Sequence, residues 1–177
     1  TLSPSSAASD VYKRQEKAPF REEPKRYNII KRIVEKIGLK EFSYILTKAI
    51  IEGDKVVIVP KDAQKDIYDL LGRIDKLKIV AIMAGKFTPD PNINTEFMEK
   101  IISPLLELPE RDAIDKLNNA IAIIFKFSNL LVRMIRSGLY SMARDFLNTI
   151  SDENLRMIVI ELAKYKVPSY QLRFVTS

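Results

Sequence analysis

The sequence predicts a mainly α-helical protein with a small α/β portion: a helix–strand–helix–strand N-terminal part packed on a C-terminal helical bundle or hairpin array. Three observations predict this. Apolar residues recur at helical spacing through most of the chain beyond Pro24. Two short runs, Val56–Val59 and Lys78–Ala84, are rich in Val, Ile and Ala and are bounded by Gly53, Pro60 and Gly85. After the turn-forming stretch Thr88-Pro-Asp-Pro-Asn92 the pattern is helical throughout.

Residues 16–23 are charged, carry Pro19 and read as a linker. Pro24 suits a first helical turn, where its missing N–H costs nothing. The helix is expected to run to Ile37 and stop at Gly38, burying Ile30, Val34 and Ile37 and turning Lys25, Arg32 and Lys36 outward. Residues 40–51 carry Phe42, Ile45, Leu46, Ala49 and Ile50. Their spacing favours a helix, but a strand turning at Glu52-Gly53-Asp54 into the first β run fits as well. A helix over Asp62–Leu71 should bury Ala63, Ile67, Leu70 and Leu71. It would join two buried strands in parallel by a right-handed crossover. Two strands are marginal alone and must lean on helices.

In the C-terminal part, Thr95 is expected to cap a helix carrying Phe97, Ile101, Ile102 and Leu105, kinked at Pro104. The next opens at Pro109-Glu-Arg-Asp112 and reaches Gly138. Roughly 28 residues is long for a globular helix, which predicts a break near Ser128-Asn129. Leu139, Met142, Ala143, Phe146 and Leu147 give a short helix. Ser151 then caps the last, with Leu155, Ile158, Val159 and Leu162 inside and Pro168 ending it. The organisation expected is a small α/β domain over 24–90 and a helical domain over 91–177, possible truncation at the C-terminus included.

The chain has no histidine and no cysteine. That removes the usual general base, the Ser–His arrangement, thiol nucleophiles, disulfides and nearly every zinc site. No serine stands three residues before a lysine. The five glycines are scattered as punctuation and form no phosphate-cradling loop. Catalysis is therefore not expected, and neither a cofactor nor a metal is assigned. Asp62, Asp66 and Asp69 fall on one side of a helix, where three carboxylates could hold Mg²⁺ in a metal-dependent enzyme. Balanced by Lys61 and Lys65, they read better as a solvated face.

The formal charge is +6, or +5 once residues 1–15 are set aside. It is compatible with nucleic acid or an acidic partner. Lys126, Arg133, Arg136 and Arg144 surround the Ser137-Gly138 turn, with Tyr140 the one aromatic placed to stack on a base. Such a corner could grip phosphates, which attract Arg and Lys without reading sequence. Arg at helix C-termini also simply complements the helix dipole. Phe125, Phe127 and Phe146 read as core. No run approaches the ~18 apolar residues of a membrane span, so no membrane partner is expected and the cytoplasm is the default location. The abundance of Ile, Lys, Arg and Glu points toward a thermophile.

Three resemblances attach to particular residues. Ser5-Ser-Ala-Ala-Ser-Asp-Val-Tyr-Lys-Arg-Gln15 resembles, residue for residue, a translated transposase adapter of the kind used in sequencing libraries. It implies that residues 1–15 are a non-native segment and that the gene was assembled from metagenomic DNA. Gly138, Tyr140, Ala143, Leu147 and Ser151-Asp152, within 131–165, resemble a tetratricopeptide-type (α-solenoid) hairpin, with no second copy at the family's period. That resemblance implies a scaffold for protein partners and carries over no site residues. Ile135-Arg-Ser-Gly-Leu139 followed by Phe146-Leu147 is similar to the small helical subunits of CRISPR effector complexes, which would set the basic corner beside RNA or displaced DNA. The expectation is a non-enzymatic interaction or scaffold module of a larger intracellular assembly. The alternative is a nucleic-acid-binding accessory subunit of a ribonucleoprotein complex.

Overall fold

The computed structural model describes residues 27–53, 56–78 and 81–177. The adapter-like segment and the 16–23 linker lie outside them. Helix α1 (Ile29–Ile37) begins one residue after Asn28, whose Oδ1 accepts from the amides of Ile30 at 2.9 Å and Lys31 at 3.4 Å. Its Nδ2 donates to the carbonyls of Leu105 at 2.7 Å and Leu108 at 2.9 Å. The start expected at Pro24 lies outside the described residues, and Tyr27 and Asn28 are not helical. An asparagine that satisfies two orphan amides sets the boundary. The stripe rotates accordingly: Ile29, Ile30 and Ile33 are buried, while Val34 and Ile37 are only partly so.

Gly38, at φ +90°, separates α1 from α2 (Leu39–Glu52). The open choice over 40–51 resolves as helix. Residues Phe42 to Thr47, Ala49 and Ile50 are all buried, so α2 is covered nearly all round. Strands β1 (Val57–Val59) and β2 (Ile82–Ala84) pair in parallel, with Ile58 opposite Met83. They are joined through a 3₁₀ turn, Lys61–Ala63, and α3 (Gln64–Gly72), which buries Ile67, Leu70 and Leu71; Ala63 on the turn is buried too. The second strand is shorter and more open than expected. Ile82 and Ala84 are partly buried and Met83 is 59% exposed. β1 buries Val57 and Val59, while Ile58 and Met83 share the outer face, which nothing among the described residues covers.

Helix α4 (Glu96–Ile102) is capped by Asn94 and not by Thr95: Asn94 Oδ1 accepts from the Glu96 amide at 2.9 Å, and the Thr95 side chain makes no cap bond. At Pro104 the α-helical pattern tightens into a 3₁₀ turn, Ser103–Glu107, in place of a kinked helix. Helix α5 (Glu110–Arg136) runs 27 residues without the break expected at Ser128-Asn129. It feeds two buried clusters in succession, so packing holds the whole length and outweighs the modest helix propensity of Ser and Asn.

Gly138, at φ +73°, turns the chain into α6 (Tyr140–Thr149). Asp152, not Ser151, caps α7 (Glu153–Ala163), accepting from the amides of Asn154 at 2.9 Å and Leu155 at 3.1 Å. The sequence reading ended the helices at Pro168. In the structure Pro168 instead opens α8 (Ser169–Thr176), which buries Leu172 and Val175. Proline fits a helix entry as well as an exit.

The first cluster draws on α1, α2, β1, α3 and α4, the front of α5, and Ile158 and Leu162 of α7. It takes side chains from both sides of Thr88–Asn92. The second holds Leu131, Val132 and Ile135 of α5, Ala143 and Leu147 of α6, Val159 and Ala163 of α7, and Leu172 and Val175 of α8. Fully buried Ser128 sits where one gives way to the other.

Candidate functional site

The basic corner lies over the second cluster. Spacings of seven and three put Lys126, Arg133 and Arg136 on one side of α5, and all three are exposed. Arg136 donates to the Lys166 carbonyl at 2.8 Å, and Lys166 Nζ reaches Asn129 Oδ1 at 2.8 Å, so the chain after α7 is tied back to α5. Arg144, on α6, donates to the Phe174 carbonyl in the last turn of α8. The Tyr140 ring packs on Phe174, centroids 5.2 Å apart. Three of the five expected residues therefore hold helices together with part of their side chains. Lys126 and Arg133 make no ion pair among the described residues. Phe127 and Phe146 meet edge to face at 5.7 Å, partly buried against the second cluster, as Phe125 is against the first.

Charge is divided as unevenly as the core is. Residues 27–125 hold fifteen basic and fifteen acidic residues, whereas 126–177 hold eight basic and four acidic, a net +4. Only Lys164 among those eight is ion-paired within the described residues, with Glu161. The same region turns several large apolar side chains to solvent: Leu139, Met142, Tyr165, Tyr170 and Phe174, each between 46% and 58% exposed. Tyr170, Arg173 and Phe174 form the outward stripe of α8, at spacings of three and four. Sequence reading missed them because it read no helix beyond Pro168. The cue was Tyr170, Leu172, Phe174 and Val175 following a proline.

Two clefts flank the 88–94 turn. One of about 780 Å³ lies between α2 and α4, with Tyr44, Pro89, Pro91 and Ile93 in its walls and Glu41, Asp90, Glu96 and Glu99 on its polar side. The Asp90 amide donates to the Tyr44 hydroxyl at 2.8 Å, which pins the turn to α2. A smaller cleft of about 310 Å³ runs between the end of α2 and α7. Asn94, which lines both clefts, ties the turn to α7, donating to Asn154 Oδ1 at 2.7 Å, and Asn154 donates to Glu96 of α4 at 3.1 Å. Asp152 caps α7 beside them, 3.7 Å from Lys100. The Leu155 amide, opposed by partial burial and helped by Lys100 and the Asn154 amide, holds the Asp152 carboxyl below its ordinary value.

Two of the three aspartates considered for Mg²⁺ are engaged elsewhere. Asp66 accepts from Lys36 at 2.8 Å and lies 3.7 Å from Arg32. Asp69 pairs with Arg73 at 3.2 Å, and Asp62 is exposed on the preceding 3₁₀ turn. Among the described residues no three candidate metal ligands cluster, and no helix is long and apolar enough to cross a membrane. Comparison with protein-family models, curated proteins and solved structures finds no match.

Proposed function

We propose that this chain is a helical interaction module that presents the helices of its second cluster to a macromolecular partner and carries out no chemistry of its own. The supporting observation is the coincidence, in one region, of outward apolar side chains, Leu139, Met142 on α6 and Tyr170 and Phe174 on α8, with the whole net positive charge of the described residues. Apolar side chains grouped on one face mark contact surfaces more often than singly scattered ones do, and Tyr and Arg are the residues that most often anchor them. Placing a photo-crosslinking benzoylphenylalanine at Tyr170, in cells co-expressing the genes that flank this one, tests the reading. Adducts to one protein, a flanking product or a second copy of this chain, absent when the probe sits at exposed Tyr68 on α3, are expected. Equal labelling at both sites removes it.

A second reading, nucleic-acid binding, is favoured by Lys126, Arg133 and Arg136 on one side of α5. It predicts retention of single-stranded RNA or DNA in low-salt gels, with an affinity that falls linearly in log salt. Triple replacement of these residues by Gln should flatten that slope. No retention at low salt ends this reading.

A further inference from the structure

We infer that the chain associates head to tail with copies of itself, the α8 stripe of Tyr170, Arg173 and Phe174 in one copy seating in the cleft between α2 and α4 of the next. The inference rests on reading the second-cluster helices as a contact surface and names what that surface contacts. α8 buries Leu172 and Val175 and leaves Tyr170 58% and Phe174 52% exposed on its other side, with Arg173 between them. Arg173 makes no ion pair among the described residues. The stripe is thus two rings one turn apart beside a cation without an ion pair among the described residues.

The cleft is its chemical complement. Tyr44, Pro89, Pro91 and Ile93 offer rings and aliphatic surface to aromatic side chains. Glu41, Asp90, Glu96 and Glu99 face a single Lys40, and none of the four is ion-paired among the described residues. The two surfaces carry opposite surplus charge, which favours docking one on the other and disfavours docking either on itself.

They also lie at opposite ends of α7. The cleft adjoins its start, through Asn94–Asn154 and Lys100–Asp152. α8 follows its end, where the Lys166 carbonyl accepts from Arg136. Eleven residues of helix, ~16 Å, separate the two ends, so stripe and cleft meet only between copies. A contact between two different patches leaves one of each unused and can propagate.

Sedimentation velocity of the full chain over a concentration series tests the proposal, at low salt and again near ~1 M, where charges more than about 3 Å apart are screened. Wild type should grow beyond dimer at low salt and return to monomer at high salt. R173E and E99K should each be monomeric, with melting temperatures close to wild type. Their equimolar mixture should associate again, because the intact stripe of E99K then meets the intact cleft of R173E. A wild-type chain that stays monomeric at hundreds of micromolar overturns the proposal. So does a mixture that stays monomeric, or a dimer indifferent to both substitutions. Association that appears only when RNA is added also overturns it and assigns the stripe to nucleic acid. If the chain stays monomeric but the Tyr170 probe still labels a flanking product, the second copy is wrong and the interaction module stands.

Discussion

The two buried clusters use the same residue types but meet water differently. Around the first, charge balances, and carboxylates are matched across elements: Asp66 with Lys36 and Arg32, Glu110 with Arg73, Glu107 with Lys31. Around the second, cations outnumber anions two to one, and the Arg136 and Arg144 guanidiniums go to backbone carbonyls. The first surrounds a helix, α2, that is covered on nearly every side. Over the second lie the short helices α6 and α8, which turn Met142 and the Tyr170 and Phe174 rings outward. The difference teaches that the second region carries an overall cationic surplus, whereas the first, balanced in sum, leaves its unpaired charge in the acidic cleft between α2 and α4.

The largest expected effect separates the clusters by core truncation. Leu46→Ala, at a fully buried site on α2, should cost ~4 kcal/mol, and Leu147→Ala, on the inner face of α6, about half of that, because a cluster covered by two short helices can relax into the void. Urea denaturation followed by circular dichroism measures both, and equal losses would erase the contrast. Next is the tie between the start of α1 and the turn ahead of α5. Asn28→Ala removes the cap and leaves the Leu105 and Leu108 carbonyls without that donor, for a loss of about 2 kcal/mol.

At the junction of the clusters, Asp152→Ala should cost ~1 kcal/mol at neutral pH. The carboxyl is held below its ordinary value of 3.8 in the folded chain. Its contribution is therefore complete above that value and disappears as pH falls through the lower, folded one. The gap between wild type and variant should be constant from pH 7 to 5 and close only in strong acid; a gap closing near pH 6 would implicate another group. The smallest effect has the opposite sign. The Ser128 hydroxyl is buried without a hydrogen-bond partner, so Ser128→Ala should raise stability by roughly 0.5–1 kcal/mol. A loss there would show that the hydroxyl is satisfied.

Much of the fold was legible because helical periodicity is local. Ile67, Leu70 and Leu71 on α3, and Ile158, Val159 and Leu162 on α7, were placed inside from spacing alone. Caps were misplaced by one residue at Thr95 and Ser151. Neighbouring Asn94 and Asp152 are equally able to accept amide bonds, and the direction from which the chain enters the helix decides between them. Of the candidate site, the shared side of Lys126, Arg133 and Arg136 could be read from their numbers. The engagement of Arg136 with Lys166 and of Arg144 with Phe174 could not, since each spans 30 residues.

The sequence by itself determined the helical class, the parallel crossover between β1 and β2, and the lack of histidine and cysteine chemistry. Each depends on residue identity or on spacing within a few turns. Only the tertiary structure decided that α5 runs unbroken, that Pro168 starts a helix, that Met83 faces out, and that net charge and outward aromatics gather over one cluster. Those outcomes depend on which distant surfaces come together, and burial there outweighs the few tenths of a kcal/mol by which local preferences differ.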